Sequence, residues 1–177
     1  MGYKKMIYKL IENENAVLQV PLSGVSEECS RHELEQDLIA TMKNFNGLGL
    51  SANQVGIMEK IFVMYTNFDD REAEGIFNPK ILTYGERMVF MDEGCLSYPG
   101  LWLKVKRPYD IVVEYENAKS ERIERPLKDM ESRIFQHEMD HMNGKNFTDL
   151  VSKLRLQMAK KRRDKQLKKS NRIKGLA

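Results

Sequence analysis

The apolar residues of an early segment recur at the spacing of an α-helix. Leu34, Leu38 and Met42 fall on one helical face. The preceding Ser30-x-x-Glu33 has the spacing of a capping box, and Asn46-Gly47 ends the pattern. The sequence therefore predicts a helix that begins after Ser30 and ends before Asn46.

Two further helices are predicted near the C-terminus. Asp129 is placed to cap a helix that runs to about Asn143, with Gly144 as its C-terminal glycine. Another helix is predicted from Leu150 to about Lys169.

The segment between these helices has the pattern of strands. Apolar or alternating runs, separated by proline and glycine, occur at Ile61–Tyr65, Glu86–Met91, Trp102–Val105 and Ile111–Glu116. Helices and strands do not alternate regularly, which favours an α+β class. We expect one domain of short, mostly antiparallel strands around a central helix, with an N-terminal helix and a basic C-terminal helix.

Composition excludes several classes of protein. Of 177 residues, 41% are hydrophobic and 31% are charged, as in soluble globular proteins. No apolar run approaches the roughly 20 residues of a membrane span, and residues 1–6 lack the apolar core of a signal peptide. The chain has two cysteines, Cys29 and Cys95, which favours free thiols and a reducing, cytoplasmic location.

Charge divides the chain into two parts. Residues 153–177 contain eleven basic residues and one acid, a net charge of +10, whereas residues 1–152 contain 18 basic and 25 acidic residues, a net charge of −7. We therefore distinguish residues 1–150 from a basic segment at 151–177. Such a segment can contact a polyanion or form a solvated helix. It contains no aromatic residue, so phosphate contact is its only well-supported mode of nucleic-acid binding.

The strongest chemical pattern lies in the helix predicted from Asp129 to about Asn143. His137 and His141 are four residues apart and can bind one metal ion from the same helical face. Glu138 lies about 100° around the helix from His137. It can act as a base near the ion without coordinating it.

A catalytic centre of this kind has three protein ligands and one open position. No Glu or His follows His141, so the third ligand is expected upstream. The candidates are Cys95, His32, Cys29 or a carboxylate. Cys95 is the strongest of these, because it follows an alternating strand and a glycine that leaves the sulfur accessible.

A glycine-containing segment, Gly47–Gln54, precedes the predicted strands. It resembles a dinucleotide fingerprint but follows a helix instead of a strand, which excludes that function. We predict a loop whose backbone approaches a ligand closely, with the side-chain amide of Gln54 beside it.

Taken together, three segments resemble the conserved motifs of peptide deformylases. They are Gly47–Gln54, Glu93–Ser97 and Gln136–His141, in that order along the chain. The resemblance extends over most of residues 10–150. It implies that residues 1–150 form the catalytic domain of an enzyme that hydrolyses the N-formyl group of new polypeptides.

The chain departs from the family pattern at three places. Ser51 replaces an alanine in the first motif. Gly100-Leu101-Trp102 stands where bacterial members often carry an arginine that holds the peptide. Arg133 stands where an apolar residue is usual near the side-chain pocket.

The resemblance implies a metal site and a base. Cys95, His137 and His141 would hold one divalent ion, with Glu138 as the general base. The native ion would be Fe²⁺, with Zn²⁺ or Ni²⁺ able to occupy the site. Residues expected to orient these ligands are Glu93, Gln136, Asp140 and Arg107.

The resemblance also implies how substrate is held. The Gln54 amide and the Leu96 backbone N–H would stabilise the oxyanion. Leu48 and Gly49 would bind an N-formyl-methionyl peptide in an extended conformation. A monomer is expected, and the basic segment at 151–177 would contact the ribosome.

Two other functions stay open on the residues alone. His-Glu-x-x-His is also found in metalloproteases, although the usual downstream ligand is missing. A non-enzymatic RNA-binding module would use the basic segment alone.

Overall fold

The computed structural model describes residues 3–12 and 15–174. The beginning of the segment analysed for targeting and the end of the basic segment lie outside the described residues. No described helix is both long enough and apolar enough to cross a membrane.

Three α-helices match the three predicted ones. They are α1 (Arg31–Asn44), α2 (Asp129–Met142) and α3 (Lys153–Lys174), and single 3₁₀ turns lie at Ala16–Gln19, Ala52–Val55 and Phe147–Leu150.

The predicted starts of α1 and α2 differ in outcome. Ser30 is the N-cap residue of α1, but among the described residues its side chain makes no capping hydrogen bond, so the predicted capping box does not form. The predicted N-cap of α2 is wrong. Lys128, the last residue of a strand, is the N-cap of α2, and Asp129 is its first residue, with φ +53°. The chain passes directly from β7 to α2 there. The Asp129 N–H donates to Tyr109 O, so this first helical residue is still bonded to the end of the neighbouring strand. Gly144 follows α2 with φ +67°, as a C-terminal glycine does.

Seven strands form two antiparallel sheets. The strands are β1 (Gly49–Ser51), β2 (Ile61–Asn67), β3 (Glu72–Tyr84), β4 (Met88–Cys95), β5 (Tyr98–Pro108), β6 (Asp110–Glu116) and β7 (Arg122–Lys128). The larger sheet has the order β1-β2-β3-β6-β7, and β4 and β5 form a separate hairpin. The α+β class with mostly antiparallel strands is therefore confirmed.

Helix α2 lies at the centre of this arrangement. It contacts β1, β2, β6 and β7 of the larger sheet and β5 of the hairpin. Its residues Ile134, Phe135 and Met142 are part of the main apolar core. A second core lies under α1, and a third forms where Ala159 of α3 packs on Leu101 and Leu103 of the hairpin. The central helix therefore joins both sheets.

Candidate metal centre

Three potential ligand atoms converge between β4 and α2. The sulfur of Cys95 and one nitrogen each of His137 and His141 all lie within 4.8 Å of one another. The Cys95 Sγ–His141 Nε2 distance is 3.4 Å. A thiolate and an imidazole on one tetrahedral ion lie about 3.6 Å apart, so this spacing fits a shared metal ion.

The local sequence explains why these groups meet. His137 and His141 are one helical turn apart on the buried centre of α2, where they are 8% and 0% exposed. Cys95 is the last residue of β4, where the register with β5 shifts between Gly94 and Cys95. The strand end thus presents the sulfur to the helix.

The other two thiol or imidazole candidates lie elsewhere. The exposed His32 ring bonds with Gln36 at 2.9 Å. Cys29 packs partly buried against the core under α1, and burial raises the pKa of its thiol. Among the described residues, neither belongs to the cluster that could hold a metal.

A buried carboxylate orients His137. Glu93 Oε2 lies 3.0 Å from His137 Nδ1, which leaves Nε2 of the ring free to face the cluster. Burial opposes the imidazolium form, but hydrogen bonds with Cys95 and Glu93 raise the pKa of His137 to about 10.

Two arginines converge on the same carboxylate. Arg107 Nε and Arg133 Nη1 donate to Glu93 Oε1 at 2.6 and 2.7 Å, and Asp140 pairs with Arg107 at 2.7 Å. Burial disfavours a charged Glu93, yet the hydrogen bonds from Arg107 and His137 hold its pKa well below its usual range. Burial alone would lower the Arg107 pKa, but Glu93 and Asp140 raise it.

The structure separates the residues expected to orient the ligands. Glu93 contacts His137 directly, whereas Arg107 and Asp140 act one step further away. The Gln136 amide donates to Pro108 O and Ser132, so it ties α2 to the end of β5. Arg133, which stands where an apolar residue is usual near the side-chain pocket, does border the cavity. Its ion pair with the Glu93 carboxylate was not predicted from the sequence.

Among the described residues, a ligand candidate and the neighbouring carboxylate each have a buried polar atom without a hydrogen-bond partner. These atoms are His141 Nδ1 and Glu138 Oε2. Burial lowers the pKa of His141 well below its usual value, which keeps its imidazole neutral and able to coordinate a cation. Burial raises the pKa of Glu138 to about 7, a value suited to accepting and donating a proton near neutral pH.

The predicted glycine loop is instead strand β1 followed by a 3₁₀ turn. Ser51 N and Oγ both donate to Gln54 Oε1 at 2.9 Å, which fixes the amide. The Gln54 Nε2 group then donates to Cys95 Sγ at 3.3 Å. Ser51, one of the departures from the family pattern, thus helps to position Gln54.

A cavity of about 880 Å³ leads to the cluster. Its lining includes Leu48, Gly49 and Gln54 around β1, and Gly94, Cys95 and Leu96 at the end of β4. A Cβ at Gly49 would lie only 2.6 Å from Glu138 Oε1, so this backbone passes directly beside the carboxylate.

The N-terminal segment also borders this cavity, which sequence reasoning missed. Lys9, Leu10 and Glu12 line it, and the Ile11 N–H donates to Gln54 O at 2.8 Å. Asp37 of α1 holds the segment by accepting from Tyr3, Tyr8 and the Met6 N–H. Nothing in the spacing of residues 3–12 indicates these contacts.

Comparison with known proteins agrees with the geometry. A sequence profile described as Polypeptide deformylase matches residues 7–157. The peptide deformylase of Prochlorococcus marinus is 36% identical over 149 residues, which cover 82% of this chain and 73% of that protein.

Solved structures are also similar. The crystal structure of a Legionella pneumophila peptide deformylase has a TM-score of 0.83 and 31% identity, and covers 94% of this chain and 98% of that one. The Synechococcus elongatus enzyme in complex with actinonin has a TM-score of 0.83 and 30% identity, with 90% and 91% coverage. The family is metal-dependent, and the Cys and His cluster described above could bind its metal ion. On the extent of these matches and on its three motifs, the chain belongs to the peptide deformylase family.

Proposed function

We propose that Cys95, His137 and His141 hold one divalent metal ion and that Glu138 is the general base of the family's reaction. That reaction hydrolyses the N-formyl group of newly made polypeptides, releasing formate and a free N-terminal methionine. The proposal depends above all on one observation: three ligand atoms and a buried carboxylate meet at the end of a single cavity. When bound, the ion would polarise the formyl carbonyl and acidify water.

The remaining steps belong to the protein's own groups. Glu138 takes a proton from the attacking water and passes it to the nitrogen that leaves as the amine, so the proton is conserved. The Gln54 amide and the Leu96 N–H donate to the oxygen that becomes negative in the transition state. Gln54 is already held beside Cys95 by Ser51, which favours this role.

The sheet edges indicate how the peptide is held. In the part of the chain that the structure describes, β1 pairs with β2 alone and β4 with β5 alone, so each of these two strands keeps a free edge, and residues of both line the cavity. We propose that an extended peptide adds between them, bonded to the backbone of Gly49. Leu48, which is 45% exposed at the cavity wall, and Ile134 would contact the methionine side chain.

The metal is proposed to be Fe²⁺ in the native protein, with Zn²⁺ or Ni²⁺ able to replace it. One thiolate and two imidazoles suit all three ions. Anaerobic purification followed by elemental analysis identifies the ion, and a Cys95→Ser variant is expected to lose most of it.

A formate-release assay tests the enzymatic role. With formyl-methionyl peptides, Glu138→Gln is expected to reduce kcat about 10²- to 10⁴-fold while metal content is retained. His32→Ala, which removes an imidazole outside the cluster, serves as the matched control and should keep full activity. Cleavage of internal peptide bonds would favour the metalloprotease instead, and an active Glu138→Gln variant would contradict the proposed base.

We also propose that the protein acts in the cytoplasm and that its basic segment at 151–177 contacts the ribosome from which the nascent chain emerges. Helix α3 packs against the catalytic part of the chain, since Ala159 is only 4% exposed where it contacts the hairpin. Deleting the helix would therefore also disturb the hairpin. Exposed cations are therefore better targets than a truncation. Replacing Lys165, Lys168 and Lys169 with glutamine should reduce co-sedimentation with ribosomes.

A matched control removes three exposed lysines elsewhere, Lys119, Lys128 and Lys145. Equal loss in both triple variants would contradict a contact through α3. Light scattering of the same samples tests the proposed monomer.

A further inference from the structure

Two aromatic rings stand exposed on the outer face of the β4–β5 hairpin. Phe90 is 53% exposed and Trp102 is 64% exposed, the largest value for any aromatic side chain among the described residues. The alternate residues Leu103 and Val105 are buried against the core. The strand period therefore turns both rings towards solvent. The Trp102 ring also covers Gly94 and borders the 880 Å³ cavity, whereas Phe90 does not line that cavity.

Cations surround these rings, and one carboxylate, that of Asp92, lies among them. Lys104 and Lys106 project from the same face of β5, and Arg155 and Arg162 reach it from α3. In the part of the chain that the structure describes, none of the four forms a salt bridge. We define the hairpin–helix surface by six residues: Phe90, Trp102, Lys104, Lys106, Arg155 and Arg162.

The surface contains two adjoining cavities. One, of about 730 Å³, is lined by Trp102 and the other, of about 740 Å³, by Phe90; both are lined by Lys104 and Arg162. Trp102 pairs with Gly94 and Lys106 with Phe90, four residues along the strand. The rings are therefore separated by roughly 13 Å, so each can receive a different group.

We infer that the hairpin–helix surface binds single-stranded RNA. Bases stack on Trp102 and Phe90, and the phosphates between them contact Lys104 and Arg162. Lys106 Nζ lies 5.8 Å from the Phe90 ring centroid, so a base on that ring also brings its phosphate near a cation. An acidic protein would use the cations but would leave two large rings without a matching partner.

The fold supplies what the basic segment lacks in sequence. That segment has no aromatic residue, but α3 packs beside a hairpin that carries two. The inference rests on the proposed function only in choosing RNA, which surrounds nascent chains, over single-stranded DNA. It does not require the Lys165, Lys168 and Lys169 contact proposed above.

Fluorescence of the purified full-length protein tests the inference directly. Trp102 is the only tryptophan, so its emission reports on this surface and on the adjoining rim of the 880 Å³ cavity. A 12-nucleotide single-stranded RNA of mixed sequence is expected to quench that emission, whereas heparin, a polyanion without bases, should not.

Anisotropy of the same RNA, labelled with fluorescein, measures affinity. Phe90→Ala and Trp102→Ala should each weaken binding about five-fold or more, and Trp102→Phe should restore most of the affinity. The matched control is Tyr84→Ala, since Tyr84 is 61% exposed but lies in the other sheet and lines neither cavity.

Three outcomes would overturn the inference: RNA that binds without quenching, alanine variants that bind like the parent, or tighter binding to polyglutamate or anionic vesicles than to RNA. Formate release by Phe90→Ala should equal that of the parent. If neither the parent nor Phe90→Ala released formate, the proposed reaction would be contradicted, but the inferred RNA-binding surface would not.

Discussion

Replacing Arg133 with methionine removes one cation from the buried Glu93 carboxylate. Arg133 is 4% exposed, and it also donates to Val105 O at 3.1 Å and Val89 O at 2.9 Å. The change therefore leaves two backbone carbonyls without these donors and breaks a buried ion pair, which typically costs about 3–5 kcal/mol in total. Arg107 still bonds with Glu93, so we expect the free energy of unfolding to fall by about 3 kcal/mol.

Urea unfolding followed by circular dichroism measures this loss. The matched control is Arg125→Met, because Arg125 is 30% exposed and lies 3.5 Å from Glu74. Such a partly exposed pair contributes at most about 1 kcal/mol. Metal affinity should also fall about 10- to 100-fold in Arg133→Met, since Glu93 then holds His137 less firmly. If Arg133→Met unfolds no more easily than Arg125→Met, the proposed role of Arg133 is wrong.

Three further predictions concern the same centre. In the formate assay, Gly49→Ala should lower kcat/KM more than about tenfold, because its Cβ would lie 2.6 Å from Glu138 Oε1. Gly24→Ala is the control: the nearest contact of its Cβ is at 3.8 Å, so its activity should be unchanged. Metal removal by a chelator should lower the Tm, since an ion at a hundred times its Kd stabilises the fold by about 2.7 kcal/mol, and re-addition should restore it; an unchanged Tm would contradict a folded-state metal site. The folded-state pKa of Glu93 lies below its unfolded value, so its contribution to stability is present above about pH 4.3 and is lost as pH falls towards that lower pKa; urea midpoints should therefore fall less steeply with acid in Glu93→Gln than in the parent.

The sequence predicted best those elements whose periodicity is undisturbed by charge. Helices α1 and α2 begin and end within a few residues of the predicted positions, because one face of each is apolar. Strand β7 was missed because Arg122–Lys128 is highly charged and contains Pro126, which an edge strand tolerates. Strand β3 was missed because Asn78-Pro79 resembles a break, and the structure has a register shift there instead.

The candidate site divides in the same way. Motifs brought together Cys95, His137 and His141 because the residue types and their order are distinctive. Arg133 and Leu10 lack such a pattern. Their contacts with Glu93 and the cavity exist only once the hairpin and the N-terminal segment pack on α2 and β1, so no local spacing could indicate them.

The two-residue period of β4 separates the two proposed activities of this chain. Glu93 and Cys95 face α2 and serve the metal centre, whereas Phe90 faces solvent on the hairpin–helix surface. In β5, likewise, Arg107 points inward to Glu93 and Trp102 points outward. If the pairing of β4 and β5 slipped by one residue, the solvent-facing side chains of the slipped strand would be buried and its inner ones exposed. The buried Arg107–Glu93 pair and the apolar inner face both oppose such a slip. For this reason substitutions on the outer face, such as Phe90→Ala, can change RNA binding and leave the metal centre intact.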